Sequence, residues 1–328
     1  MSRPDTEVTV VNFAPMTFSG NSRVICTANR KGGVGKSTTV AAIAELIATG
    51  GRRGGRKVLV IDADSQGTVT EEDLGAVDND EGKSLGATLQ MGYPLEPLRN
   101  VRHNIDLIAG GRLLATTAAV AHAMHQEGLD MAGNLQGALE ELCATEGYEV
   151  VLIDTAPGEQ PLLDAFLKVA NYLIIPTKSD EGSLKQVGRL AERFWAARES
   201  GAHIKLLGVL LFDADKKATV RNQDVLNQIT EMLDGSGVDP FQVVIRHLES
   251  AAVDARSRRV PVGELPALAA ADKRARLARL RSREAPQRTM WSSDPTGLAT
   301  DYQELVYEIV KRLARYEAQA SDAAVVGA

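Results

Sequence analysis

Short, continuously apolar runs alternate along this chain with longer stretches in which apolar residues recur every three or four positions. Val24-Ile25-Cys26, Lys57 to Asp62 (KVLVID), Asn104 to Ile108, Tyr148 to Asp154, Tyr172 to Pro176, Ile204 to Phe212 and Phe241 to Arg246 each read as a strand buried in a sheet. Helical spacing joins Val40, Ile43, Ala44 and Ile47, then Leu135, Ala138, Leu139 and Leu142, then Leu184, Val187, Leu190, Ala191 and Phe194. A last helix near Thr300–Tyr316 aligns Tyr302, Leu305, Val306, Ile309, Val310 and Leu313 on one stripe. Strands alternating with helices predict an α/β fold: a doubly wound, mostly parallel sheet with helices on both faces, in a single domain. Positions 71–100, with Gly75, Gly82, Gly92 and Pro94, read as acidic and turn-rich. Residues 1–22 show no clear period and predict an arm with one short extended piece at Val8–Val11; the domain spans 23–318, and 319–328 read as a loose tail.

The first strand breaks into Lys31-Gly32-Gly33-Val34-Gly35-Lys36-Ser37-Thr38, and helical spacing starts at once. Strand, glycine loop and helix start form a phosphate cradle: the glycines let backbone N–H groups turn inward, and the helix N-terminus adds partial positive charge. Lys36 would reach the β/γ-phosphates and the Ser37 hydroxyl would ligate Mg²⁺. The common form of this P-loop has glycine where this chain has Arg30, and here a second lysine, Lys31, directly precedes the glycine pair. In a doubly wound sheet the ligand sits at the carboxyl ends of the strands, and Asp62, Asp64 and Asp154 all fall there. An aspartate placed like Asp154 holds Mg²⁺, usually through water.

The K-G-G-x-G-K-[ST] form of the loop resembles the deviant loop of the ParA/MinD family of P-loop ATPases. VLIDTAPG (Val151 to Gly158) resembles that family's Walker B strand, and IDADSQG resembles its D-x-D-P-Q-G segment, with Ser65 in the usual proline position. FQVVIRH (Phe241 to His247) is similar to the segment ending V-I-P-R-N, and Arg256, Arg258 and Arg259 precede Val260-Pro261-Val262, which resembles a G-K-P-V turn. The resemblance covers about residues 23–262 and the final helix. It implies ATP and Mg²⁺ as cofactors, Lys31, Lys36 and Asp64 as catalytic residues, and Ser37, Asp62 and Asp154 around the metal. It implies a nucleotide held by Lys31, Gly32, Gly33, Val34, Gly35, Lys36, Ser37 and Thr38. Arg246 matches the family's DNA-contacting arginine, while Ile245 and His247 stand where proline and asparagine border the adenine, and either would pack against a purine. Lys31 would reach the nucleotide of a second subunit, so that ATP joins a sandwich dimer and hydrolysis dissolves it.

Net charge changes where a nucleic acid could bind. At −6 over 328 residues the whole chain is no basic nucleic-acid binder, so DNA contact must come from a local patch. Arg246, Arg256, Arg258, Arg259, Lys273, Arg274, Arg276 and Arg279 are the candidates, the last four within a basic insertion at about 265–290 that also holds Arg281, Arg283 and Arg288. The same cluster also reads as a solvated basic helix. Two cysteines, Cys26 and Cys143, are too few for a disulfide framework, and no cluster-ligating cysteine follows the Asp154 strand, which sets aside a redox ATPase. No apolar run approaches a membrane span and no signal peptide is evident, so a cytoplasmic protein without membrane contact is expected; that it is nucleoid-associated is what the resemblance implies. ATP over GTP follows from the resemblance, since no N-K-x-D sequence occurs.

The resemblance implies an ATP-dependent partition protein whose dimer binds nonspecific DNA and whose hydrolysis is stimulated by a ParB-like centromere-binding partner. Two alternatives remain open. One is a MinD-like membrane-positioning ATPase; the other is a relative that positions protein cargo on the nucleoid.

Overall fold

The computed structural model describes Met16 and residues 22–50, 55–158, 160–234, 236–282 and 294–326. The Val8–Val11 piece, Arg283 and Arg288 lie outside the described residues. In chain order the elements are β1 (Val24–Thr27), α1 (Lys36–Thr49), β2 (Val58–Ala63), a π-helical turn (Thr68–Asp73), α2 (Lys83–Met91), β3 (Leu98–Arg102) and β4 (Ile105–Ile108). Then follow α3 (Leu114–Gln126), α4 (Met131–Glu146), β5 (Val150–Thr155), α5 (Gln160–Val169), β6 (Tyr172–Thr177), α6 (Glu181–Glu199), β7 (Lys205–Ala214) and α7 (Thr219–Met232). The chain ends with β8 (Val244–Arg246), α8 (Glu249–Arg258), a 3-10 turn (Val262–Glu264), α9 (Leu265–Ser282) and α10 (Thr296–Val326).

The strands form one eight-stranded sheet in the order β3-β4-β2-β5-β1-β6-β7-β8, parallel throughout except for the β3–β4 pair. Burial on both faces explains the unbroken apolar runs. In β2, Leu59 and Ile61 pack into one core with α4, α5 and α6, while Val58 and Val60 face the other, beneath α1 and α10. β5 divides its residues in the same way, Val151 and Ile153 to the first core and Val150 and Leu152 to the second. β1 runs between β5 and β6 at the centre of the sheet, so the loop leaving it stands at a crevice where the connections part to opposite sides.

Residues 71–100 depart from the turn-rich expectation: they contain part of the π-helical turn, all of α2 and the start of β3. Gly82 and Gly92 are the left-handed caps at the two ends of α2, at φ 85° and 71°. Glycine in that conformation marks a helix end as well as a turn, and a helix this short buries too few apolar positions to show its period. β3 is a partly exposed edge strand, so its sequence carries no apolar run. β8 is shorter than expected: Phe241 is buried and donates its N–H to the Val209 carbonyl, but lies ahead of the strand. The basic insertion is helical, as α9, and Leu265 is its one buried residue among those described. α10 runs through Val326, past position 318 where the sequence reading ends the domain. It is fastened along its length, by Tyr316 stacked on Tyr172 at 5.8 Å and by the Arg312 guanidinium donating to the carbonyls of Leu207, Asp239 and Pro240.

Candidate nucleotide site

The loop between β1 and α1 is tied down before it reaches its glycines. The Asn29 amide donates to the Pro176 carbonyl at 2.7 Å, and the Asn29 carbonyl oxygen accepts from the Lys31 N–H at 2.9 Å. Gly33 and Gly35 then take left-handed conformations, φ 71° and 82°. At Gly35 a Cβ would also lie 2.3 Å from the Phe212 ring, so backbone conformation and space both require glycine there. α1 begins without a side-chain cap, which leaves first-turn N–H groups free to meet an anion.

Gly32, Gly33, Gly35, Lys36, Ser37 and Thr38 line a cavity of about 440 Å³. Val34 is fully buried beneath it, so its contribution is limited to the backbone. Lys36 is only 6% exposed, and burial pulls its ammonium below the ordinary range although Asp154 and Asp64 oppose this. A buried cation among carboxylates, at the mouth of a loop of open amides, suits a polyanion.

Asp62 and Asp154 are direct partners across β2 and β5. The Ser37 hydroxyl donates to Asp154 Oδ2 at 2.6 Å, and Asp154 Oδ1 is buried without a hydrogen-bond partner among the described residues. Burial, followed by the nearby Asp62, raises the Asp154 carboxyl well above its usual range. An orphaned carboxylate oxygen beside a serine hydroxyl fits Mg²⁺ bound mainly through water and phosphate, which needs no full cage of protein ligands.

Asp62 departs from the metal role. Its Oδ1 accepts the Asp64 N–H at 3.1 Å; its Oδ2 accepts both the N–H and the hydroxyl of Thr70, at 2.9 and 2.8 Å. Thr70 in turn accepts the Gly110 N–H at 2.9 Å. With both oxygens engaged in these bonds, Asp62 anchors the segment that presents Asp64. Burial lifts its carboxyl to about 6 despite these bonds. Asp64 does line the cavity, one oxygen accepting the Gln66 N–H at 2.8 Å.

Lys31 faces elsewhere. It does not line the cavity; its ammonium, 37% exposed, donates to Asp180 Oδ1 at 2.7 Å and to Ser183 Oγ at 2.9 Å. Asp180 is the N-cap of α6, and the bonds from Lys31 and Ser183 hold its carboxyl well below the ordinary range.

Phe212, Asp213, Lys178 and His247 also line the cavity. His247 Nδ1 lies 2.5 Å from Asp213 Oδ1, and Lys178 donates to Asp213 Oδ2 at 2.6 Å. His247 borders the cavity, whereas the Ile245 side chain is fully buried in the core under α10 and does not line it. Alternation along β8 explains the difference, because its middle residue must face inward.

The proposed DNA residues separate. Arg246 is held by the fully buried Asp301 through Nε at 2.6 Å and Nη2 at 2.8 Å, and it borders the cavity. Arg256 lines the cavity too. Arg258 is half-buried, and Arg259 is exposed in a left-handed conformation, its carbonyl accepting from the Arg102 guanidinium. Lys273, Arg274 and Arg276 are exposed on α9, with Arg279 half-buried, and none of them lines the cavity. Cys26 and Cys143 are buried and burial raises both thiols, which gives neither a reactive role. Sequence reasoning missed Asp180, Thr70, Asp73, Lys178, Phe212 and Asp213. Only Asp180 carried a local signal, an aspartate just ahead of a helical run.

The AAA domain family (AAA_31) matches residues 22–206, more than half of the chain. The chain belongs to the ParA/MinD-type P-loop ATPases. This family's chromosome-partitioning ATPase Soj of Thermus thermophilus is 32% identical over 206 residues, 61% of this chain and 73% of the relative. Protein IncC of Escherichia coli is 29% identical over 259 residues, 77% of this chain and 66% of the relative. Among solved structures, a Cyanothece McdA variant in complex with ATP superposes with a TM-score of 0.67 at 19% identity, covering 89% of this chain and 97% of that one. The pnob8 ParA structure gives 0.64 at 20% identity, covering 90% and 99%. At these identities the two structures speak for the fold alone.

Proposed function

We propose that this chain is an ATP-dependent DNA partition protein whose ATP-bound form is a sandwich dimer on nonspecific DNA. The observation that carries this reading is the division of labour between the two loop lysines. Lys36 is buried at the cradle of its own subunit, while Lys31 is held outside that cavity by Asp180 and Ser183. A lysine so placed is available to a second subunit's nucleotide once it exchanges Asp180 for phosphate.

In the proposed reaction the loop amides and Lys36 bind the phosphates, and Asp64 orients the attacking water. Asp62, through Thr70 and the Asp64 N–H, fixes the position of that carboxylate. Bound Mg²⁺ would supply charge neutralisation of the β- and γ-phosphates, held through Ser37 and Asp154. The exposed cations of α9, with Arg259, offer phosphate-backbone contacts without sequence readout. A ParB-like partner would accelerate hydrolysis and release the dimer. The MinD-like alternative is disfavoured because α10 spends its apolar stripe on the core: Tyr302, Leu305, Ile309 and Leu313 are all buried. No described helix is long and apolar enough to cross a membrane.

Binding to duplex DNA of arbitrary sequence, measured without nucleotide, with ADP and with ATP–Mg²⁺ at two salt concentrations, tests the reading. Binding only with ATP–Mg²⁺ and weakened by salt is expected. Absence of binding in every state would sink the DNA-track function and leave the ATPase.

A further inference from the structure

Three arginines crowd the end of α8, and the fold sends them in different directions. Glu249, Ala252 and Arg256 lie one helical turn apart, and all three line the nucleotide cavity. That face of α8 is therefore a wall of the site. Val253, on the next face, is exposed to solvent, and Arg259 turns away at the left-handed cap.

The cations around this cavity are otherwise committed. Lys178 is paired with Asp213, Arg246 with Asp301, and Lys36 is buried beside Asp154 and Asp64. Among the described residues the Arg256 guanidinium forms no ion pair, and its one side-chain hydrogen bond is a long Nε contact to the Ala252 carbonyl, 3.4 Å.

The complementary group lies in the π-helical turn. Asp73 lines the same cavity at 3% exposure, and its Oδ2 is buried without a hydrogen-bond partner among the described residues. Burial, with Glu72 and Asp62 adding to it, pushes the Asp73 carboxyl up to about 7, and Arg256 is the cation that opposes the rise. A one-turn π-helix is an irregular segment of a kind found often at functional sites, and here its last residue is the buried Asp73.

We propose that Arg256 is a nucleotide-contacting residue: its guanidinium, drawn over the cavity by Asp73, binds the phosphate chain of the nucleotide seated on the glycine loop. This rests on the nucleotide-site reading and moves Arg256 from the DNA surface to the site itself. A guanidinium is suited to the task because its planar fork bonds phosphate oxygens in pairs and stays charged at any working pH. Asp73 acts through Arg256 as a positioning residue.

Equilibrium titration of fluorescent mant-ATP and mant-ADP into full-length protein without DNA tests this, with wild type, Arg256→Ala, Arg256→Lys and Asp73→Asn. Arg256→Ala is expected to weaken ATP binding by about tenfold or more and ADP binding less, on the scale of a lost charge-assisted hydrogen bond. Arg256→Lys should recover part of the loss, and Asp73→Asn should show a smaller loss confined to chains that retain Arg256. Unchanged ATP and ADP affinity in Arg256→Ala, with a reduced salt slope for DNA, would overturn the proposal and return Arg256 to the DNA surface. If wild type bound neither analogue, the nucleotide reading would fail first and take this proposal with it.

Discussion

The nucleotide cavity and helix α9 are both rich in charge, yet they are built on opposite rules. In the cavity Lys36 is fixed by burial, Lys178 and Arg246 by ion pairs, and the loop itself by Asn29. On α9 the cations project from a helix that buries only Leu265 among the described residues. Fixed charges suit a single ligand of defined geometry, because the orientation is set before the ligand arrives. Loosely held charges suit a repetitive polyanion that offers no unique geometry. The contrast predicts that changes in the cavity act on affinity and chemistry, and changes on α9 act on DNA binding and its salt dependence.

The largest effect should come from Lys36→Ala, which removes the buried cation and is expected to lower ATP affinity by about a hundredfold or more, read by mant-ATP titration. A wild-type titration curve for that variant would break the contrast outright. Next, Lys31→Ala should retain ATP binding but lose ATP-dependent dimerisation and hydrolysis, measured by light scattering and phosphate release. Dimerisation at wild-type level would remove the second-subunit role of Lys31. Thr70→Val strips a hydroxyl from Asp62, so hydrolysis should drop about tenfold with ATP affinity nearly kept, and stability should fall by about 1.5–3 kcal/mol in denaturant titration.

A pH experiment sharpens the same comparison. Asp73 has its carboxyl raised to about 7 in the folded chain, against an ordinary carboxyl in the unfolded one. Between about pH 4 and 7 the folded state holds a proton that the unfolded state has released, so this group's contribution to stability falls as pH rises. Asp73→Asn should therefore raise the Tm at pH 8 relative to the parent, with the difference shrinking toward pH 4. The smallest effect on the fold belongs to Lys273→Ala combined with Arg274→Ala and Arg276→Ala: stability should be unchanged within about 0.5 kcal/mol, while DNA binding weakens and its salt slope flattens. Loss of ATP affinity in that triple variant would mean that α9 belongs to the nucleotide site.

The sheet was legible because its strands are buried on both faces, which leaves unbroken runs such as Val58 to Ile61. The phosphate loop was legible because its function needs contiguous residues. The rest of the site depends on partners far apart in sequence: Lys31 and Asp180 are separated by 149 positions, and Arg246 meets Asp301 across 55. No local pattern announces such pairs. Asp62 shows the limit in another way, since its strand-end position suggested a metal ligand and only the bonds from Thr70 and Asp64 reveal an anchor. α2 and β3 escaped notice because glycine caps resemble turns and an edge strand needs no apolar run.

The place of α10 also bears on how the protein is made. It covers α1, the helix that carries the phosphate loop, yet it is the last described element to be synthesised. Until residues 296–326 have emerged, Ile43, Ile47 and their neighbours have no roof, and a nascent chain exposes an apolar face that invites aggregation or chaperone capture. Capacity to bind nucleotide should therefore arise only after α10 has emerged, and a chain broken off before Thr296 would be cleared by proteases.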